Sequence, residues 1–275
     1  MKWVELALYN SQERFETLSQ FLNEVGCRNE VSFVESTPAT LEDDLKQAKK
    51  EFDCIRIGQG LGTFVFQELE YWTAQSELIG ATDTLHFLNQ KWWPHIFLLS
   101  GVQSCLSKKG VYLDLDAAAL VVGAGTAARV ICVALIQAGI KSIKISNQFR
   151  EQANELICHL KKHFFSVDFE FIPKERLIDL RGVHGVAVNT TPFSQENDIL
   201  NELYYLNFLK RPGIVIDFEL HPNPSKLIEE AQAVGAHTIS GYDIVAETDK
   251  AWVTHVFNKS FDIEEYKKRL LAQIK

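Results

Sequence analysis

The stretch AALVVGAGTAARVICVALIQAG (118–139) constrains the fold more than any other part of the chain. A short β-branched run leads into Gly123-x-Gly125-x-x-Ala128, and an apolar helical pattern follows at once. In that order the first glycine permits a tight turn and the second lets the backbone approach a pyrophosphate. The small third residue brings the helix close to the sheet. Free N–H groups at the helix start favour an anion. The pattern predicts a strand–turn–helix unit of a parallel sheet. It makes Gly123, Ala124, Gly125, Thr126 and Ala127 candidate dinucleotide-binding residues, with a strand–helix turn holding no ligand as the alternative.

On both sides of this unit, apolar runs alternate with amphipathic stretches. WVELALY (3–9), VSFV (31–34) and CIRIG (54–58) read as strands separated by helical patterns at 14–25 and 40–52. ALVV, IKIS, VDFEFI, GVAVN, GIVIDF and HTIS form a second series after residue 118, with helices at 126–138, 150–163 and about 224–234. HFLNQKWWP reads as a hairpin and HIFLLSGVQSCL as a helix. A length of 275 residues, 46% of them hydrophobic, accommodates one or two domains. The expected class is α/β: residues 1–100 form one α/β domain and 101–275 a Rossmann-like NAD(P)-binding domain. The helices at about 242–257 and 262–273 are candidates to pack back on the first.

A net charge of −8 and the lack of any block of five or more basic residues argue against nucleic acid as a partner. No apolar run reaches the ~18–20 residues of a bilayer span, so no membrane partner is expected. MKWVELALYNSQERF lacks the pattern of a signal peptide. Five scattered cysteines without a C-x-x-C fit reduced, mostly buried thiols in a cytoplasmic protein. A small-molecule metabolite is the expected partner of a monomer or homodimer.

The strand IKIS ends in Asn147 and Gln148, with Arg150 just beyond. A carboxylate at this edge would hold the ribose hydroxyls of NAD, and a cation would meet the 2′-phosphate of NADP. With no acid present and Arg150 near, NADP is favoured, and NAD stays open.

Several dispersed segments resemble the shikimate dehydrogenase family. VVGAGTAAR is followed by NQFREQANEL, VAVNTTP (186–192), VIDFELHPNPSKLIEEAQAVGA (215–236) and GYDIVAE (241–247). Upstream, IGATDTL (79–85) is similar to that family's IGAVNTL. The resemblance covers most of the chain. It implies a substrate domain, an NADP domain and an active site in the cleft between them, with Asn189 and Thr190 on the cofactor side. It also exposes departures. The N-V-T-x-P-x-K stretch that supplies the family's catalytic lysine falls on Arg56–Gly62, so Gly62 holds the lysine's place. The partner aspartate's place falls on Leu99 or Ser100. One serine, Ser11, stands where a substrate-binding pair is expected, Asp83 replaces an asparagine, and Gln148 replaces the phosphate-binding arginine.

Hydride transfer from a secondary alcohol needs a group that handles the hydroxyl proton. Glycine and leucine do not do so, and Asp83 is the substitute candidate. Ser11, Arg14, Arg56, Asp83 and Glu247 or Thr248 are the candidate substrate-binding residues. The expected function is an NAD(P)-dependent oxidoreductase that acts on a small polar metabolite without the lysine–aspartate pair. The alternative is a non-catalytic protein that binds a dinucleotide or metabolite. No metal is expected: His159 and His163 share a helix face but lack a third ligand. Trp92 and Trp93 read as packing residues. Gly58, Gly60 and Gly62 read as the substrate edge of the first domain rather than a phosphate cradle.

Overall fold

A computed structural model of the chain describes residues 1–9, 11–109, 112–191, 205–221 and 223–273. They divide into two compact units, one of Met1–Gly101 with Ala246–Lys275 and the other of Val102–Val245. None of the described helices is long and apolar enough to cross a membrane.

The first unit holds a five-stranded sheet of β1 (Lys2–Ala7), β2 (Glu30–Glu35), β3 (Cys54–Ile57), β4 (Thr84–Leu88) and β5 (Lys91–His95), ordered β2-β1-β3-β4-β5. β1 runs parallel to β2 and β3, while β3–β4 and β4–β5 are antiparallel. Helices α1 (Gln12–Glu24), α2 (Leu41–Glu51), α3 (Gly62–Gln67) and α4 (Ala74–Ile79) connect the strands. All of β1 beyond Lys2 is buried, as a central strand covered on both faces requires. Val4, Leu6, Ile55 and Ile57 pack with Leu41, Leu45 and Ala48 of α2. The β4–β5 hairpin turns through Asn89 and Gln90, at φ 52° and 62°, the left-handed pair that a two-residue turn demands. Trp92 packs at the margin of the core, and Trp93 is exposed.

The second unit holds a six-stranded sheet with every pairing parallel. Its strands are β6 (Ala118–Val122), β7 (Ser142–Ser146), β8 (Asp168–Phe171), β9 (His184–Asn189), β10 (Leu209–Asp217) and β11 (His237–Ile239), ordered β11-β10-β9-β6-β7-β8. α5 (Phe97–Lys109) enters this unit at Val102. α6 (Thr126–Gln137), α7 (Arg150–His163), α8 (Tyr205–Phe208) and α9 (Lys226–Ala233) connect its strands. α10 (Gly241–Phe257) crosses the division at Val245, and α11 (Ile263–Gln273) follows. Strand order reverses between β6 and β9, and the carboxyl ends of such a pair are where open α/β sheets bind ligands.

Within the first unit, α10 and α11 supply a large part of the core. Trp252 carries no exposed surface, its ring centroid is 5.0 Å from that of Trp3, and Trp3 meets Phe15 edge-on at 5.3 Å. Tyr266 lies 5.4 Å from Phe21. The cysteines are all free; Cys27, Cys54, Cys105 and Cys132 are buried and Cys158 is exposed. Trp252→Ala is expected to lower the stability of the first unit by ~3–5 kcal/mol, the usual cost of truncating a buried aromatic. Urea denaturation followed by the near-ultraviolet signal measures it.

Candidate functional site

The turn after β6 sits at the reversal point. Gly123 donates its N–H to the Ser146 carbonyl at 2.8 Å, and Thr190 closes the other side, its N–H and hydroxyl both donating to the Val122 carbonyl at 2.9 and 2.7 Å. Gly123 has φ +115°, and a Cβ built on it would lie 2.1 Å from Thr190 Oγ1. Backbone conformation and packing each exclude a side chain there. Gly125 differs. It is the N-cap of α6 with an ordinary extended backbone (φ −77°, ψ −166°), and a Cβ built on it meets no heavy atom within 4 Å. Among the described residues no neighbour excludes a side chain at 125. Thr126 and Ala127 open α6, and Ala124 precedes the cap.

A cavity of about 350 Å³ beside β7 is lined by Asn147, Gln148, Arg150, Phe171, Pro173, Lys174 and Glu175. The Arg150 guanidinium stands 5.1 Å from the Phe171 ring centroid, which orients it at the cavity wall. The Asn147 amide donates to the Phe149 carbonyl and to Gln152 Oε1, at 2.9 and 3.1 Å, and holds the loop that carries Gln148. Lys174 adds a second cation that sequence reasoning missed, because it follows β8 rather than β7. Asn189 has a structural task, donating to Asp217 Oδ1 at 2.9 Å and accepting from the Thr191 N–H at 3.1 Å.

In the first unit the carboxyl ends of β1 and β3 carry a buried charge cluster. Asp249 of α10 has no exposed surface. It accepts from Arg14 at 2.7 and 3.3 Å, from Arg56 Nη2 at 3.3 Å and from the Tyr266 hydroxyl at 2.9 Å. Burial, with Asp249 beside it, pushes the Tyr266 phenol well above its ordinary range. Arg56 packs against the rings of Phe15 and Trp252, each 5.0 Å from its guanidinium carbon. Its Nη1 is buried and has no hydrogen-bond partner among the described residues.

Glu5 is the register partner of Arg56 across β1 and β3. Its Oε2 accepts the Ser11 N–H at 2.7 Å, and its Oε1 is buried without a partner among the described residues. Burial raises the Glu5 carboxyl against the pull of Ser11 and Arg14. This arrangement explains Gly58, where a Cβ would lie 2.3 Å from the Ala7 Cβ and 2.7 Å from Glu5 Oε1. Gly60 turns at φ +87°, and Gly62 is buried at the start of α3.

Asp83 is buried at the entry to β4. Its Oδ2 accepts the Leu98 N–H at 2.7 Å and its Oδ1 the Thr84 hydroxyl at 2.9 Å. It therefore holds the first turn of α5. Burial raises its carboxyl, and Arg56 opposes the shift. Leu99 is buried and Ser100 partly so. Glu247 and Thr248 are buried on α10. A Cβ on Gly101 would lie 2.2 Å from Thr248 Oγ1, so α5 and α10 meet there at backbone distance. Glu5, Asp249 and Tyr266 were missed from sequence, since nothing local pairs them with Arg14 and Arg56.

No protein-family model matches the chain. It is 33% identical over 143 residues to the NADP(+) shikimate dehydrogenase of Caldivirga maquilingensis, which is 49% of this chain and 49% of that protein. The chain thus spans about half the length of the curated relatives it matches. The shikimate 5-dehydrogenase of Listeria monocytogenes, solved in complex with shikimate and NAD, superposes with a TM-score of 0.81 at 19% identity over 98% of this chain and 96% of that one. The chain has the shikimate dehydrogenase fold. The quinate dehydrogenase of Corynebacterium glutamicum in complex with NAD shares that fold, with a TM-score of 0.81 at 15% identity over 99% of each chain.

Two outcomes follow. Gly125→Val is expected to keep the thermal stability of the parent and lose at least about tenfold in dinucleotide affinity, while Gly123→Ala loses stability by more than ~1 kcal/mol. Thermal denaturation and cofactor titration of the pair separate the two roles. Glu5, with a raised carboxyl, contributes stability below the free carboxylate value and loses it as pH rises through its folded value. The melting temperature of Glu5→Gln relative to the parent is therefore expected to rise between about pH 4 and about pH 7, and scans across that range check the sign.

Proposed function

We propose that the chain is an NADP(H)-dependent oxidoreductase acting at a hydroxyl or carbonyl carbon of a small polar metabolite. The observation that carries this reading is the pair of glycines after β6. Gly123 is demanded by the fold, and no described neighbour excludes a side chain at Gly125. The turn 123–127 and the N–H groups of α6 would hold the pyrophosphate. Gln148, Arg150 and Lys174 would hold the 2′-phosphate, their two cations outweighing Glu175. Thr190 supports the turn from β9. When bound, the nicotinamide supplies or accepts the hydride.

The remaining chemistry belongs to the first unit. Arg56 Nη1 offers a charge-assisted donor to a carboxylate or hydroxyl of the metabolite. Asp249 and Arg14 position it by fixing the other edge of the guanidinium. Asp83 handles the hydroxyl proton: burial raises its affinity for that proton toward the working range of a general acid–base group. Ser11, Glu247 and Thr248 complete the substrate-binding set. The NADP(+) enzyme of Caldivirga maquilingensis supports the choice of cofactor.

A second reading, a dinucleotide-binding protein without turnover, is favoured by two observations. Both Asp83 oxygens already accept hydrogen bonds that hold α5 and β4, and Gly62 stands where the related enzymes' lysine is expected.

Fluorescence titration with NADPH and NADH, followed by turnover assays on a panel of small hydroxy and oxo acids, decides between them. Lys174→Ala and Arg150→Ala are each expected to weaken NADPH by about ten- to a hundred-fold, the ~1.5–3 kcal/mol of a hydrogen bond to a charged group, and to leave NADH nearly unchanged. No saturation by either cofactor at millimolar concentration overturns both readings. Turnover that Asp83→Asn abolishes at unchanged cofactor affinity supports the enzyme; saturable binding with no turnover supports the binding protein.

A further inference from the structure

His86 and His95 lie on neighbouring strands of the β4–β5 hairpin. Thr84 pairs with His95 and His86 with Trp93, so the two histidines are diagonal neighbours on one face of the sheet. His255, about two and a half turns along α10 from its entry into the first unit at Ala246, comes down on the same spot. Its ring centroid is 4.4 Å from that of His95 and 5.7 Å from that of His86. One ring nitrogen from each of the three lies within 4.8 Å of the others. His86 Nδ1 is buried and finds no hydrogen-bond partner among the described residues. Phe97 stacks on His95 at 5.2 Å and walls off one side, while His255 is exposed on the other.

We propose that His86, His95 and His255 form a binding site for a divalent transition-metal ion of the zinc class. Three imidazoles from a rigid hairpin and a helix match the three-protein-ligand set of zinc sites that keep a fourth position for water. Tetrahedral nitrogens bonded at about 2.0–2.1 Å stand about 3.3 Å apart, so the rings need to close by no more than about 1.5 Å from their present spacing. Rotation of the exposed His255 side chain supplies most of that. A buried ring nitrogen with no partner is costly, and a metal bond to His86 through Nδ1 would satisfy it. Burial and the neighbouring rings push His95 down to about 4, and burial lowers His86 and His255 as well, so neutral lone pairs are available to a metal. The ion would fasten the hairpin to α10, two segments about 160 residues apart, within the first unit. Nothing in the reaction proposed above requires it.

The test uses the full chain stripped with a chelator. Isothermal titration with zinc should give one site per chain, and cobalt should show the visible bands of a four-coordinate nitrogen–oxygen site. At zinc about a hundred times its Kd the folding equilibrium shifts by about a hundredfold, which reads as a higher melting temperature. His255→Ala, exposed and therefore tolerated by the fold, should lose the cobalt bands and the melting shift; His95→Gln should do the same. His159→Gln/His163→Gln removes another histidine pair, the half-buried His159 and exposed His163 on α7 with rings 5.1 Å apart, and should change neither. No stoichiometric zinc binding overturns the proposal. So does binding that survives His255→Ala with His95→Gln, or that disappears with the α7 pair.

Discussion

Asp249 is the point on which the first unit is assembled. A carboxylate with no exposed surface is tolerable only when its lone pairs are filled by charged or strongly polar donors. Here two guanidiniums and a phenol fill them, from α1, β3 and α11. The cluster therefore gathers residues 14, 56, 249 and 266 at one place. It makes α10 and α11 part of a sheet whose strands end before residue 96. The aromatic rings around it, Trp3, Phe15, Trp252 and Tyr266, keep water away and strengthen each charge pair. Buried pairs of this kind are poor sources of net stability, yet breaking one strands the partner charge. Their effect is to specify which helix lies where.

The two sheets use glycine at the same topological place for different reasons. At the carboxyl ends of β1 and β3, Gly58 gives way to the Ala7 and Glu5 side chains, so the absence of a Cβ is absorbed by the protein itself. At β6 and β9 Gly123 is absorbed in this way, by Thr190, whereas no described heavy atom lies within 4 Å of a Cβ built on Gly125. Counting glycines in a sequence does not separate these cases, because the stretch after β3 has three and the turn after β6 has two. Only the identity of what a Cβ would meet does.

The alternation of strands and helices was legible because parallel strands buried on both faces are continuous apolar runs, and helices between them keep a 3.6-residue period. The hairpin was legible from Asn89 and Gln90 between two apolar-aromatic runs. The short helices α3 and α4 were not, since six residues hold too little period and α3 begins on a glycine. In the site, the turn at 123–127 and the edge residues Asn147, Gln148 and Arg150 were local and readable. Lys174 was not, because it reaches the same cavity from the far side of β8. The pairing of Arg14 and Arg56 with Asp249 spans 235 and 193 residues, and no local pattern encodes a contact of that separation. The same limit hid His255 from His86 and His95, which the hairpin register alone would have brought together.

Gly62 carries no group that can hold or move a proton. A lysine can give up its proton when its surroundings demand it, and an arginine cannot. The cations that the first unit does present near the ends of β1 and β3, Arg14 and Arg56, are both arginines, and both are bound to Asp249. They can orient an anionic or hydroxylated ligand, and they cannot take part in moving a proton. Among the buried carboxyl groups of this unit, Glu5 and Asp83 have raised proton affinity. Between those two, Glu5 sits behind Gly58 and is closed off by Ala7 and Ser11. Asp83 stands at the start of β4, tethered by the first turn of α5. Two backbone N–H groups, those of Phe97 and Leu98, and the Thr84 hydroxyl hold this carboxyl and oppose the rise that burial causes.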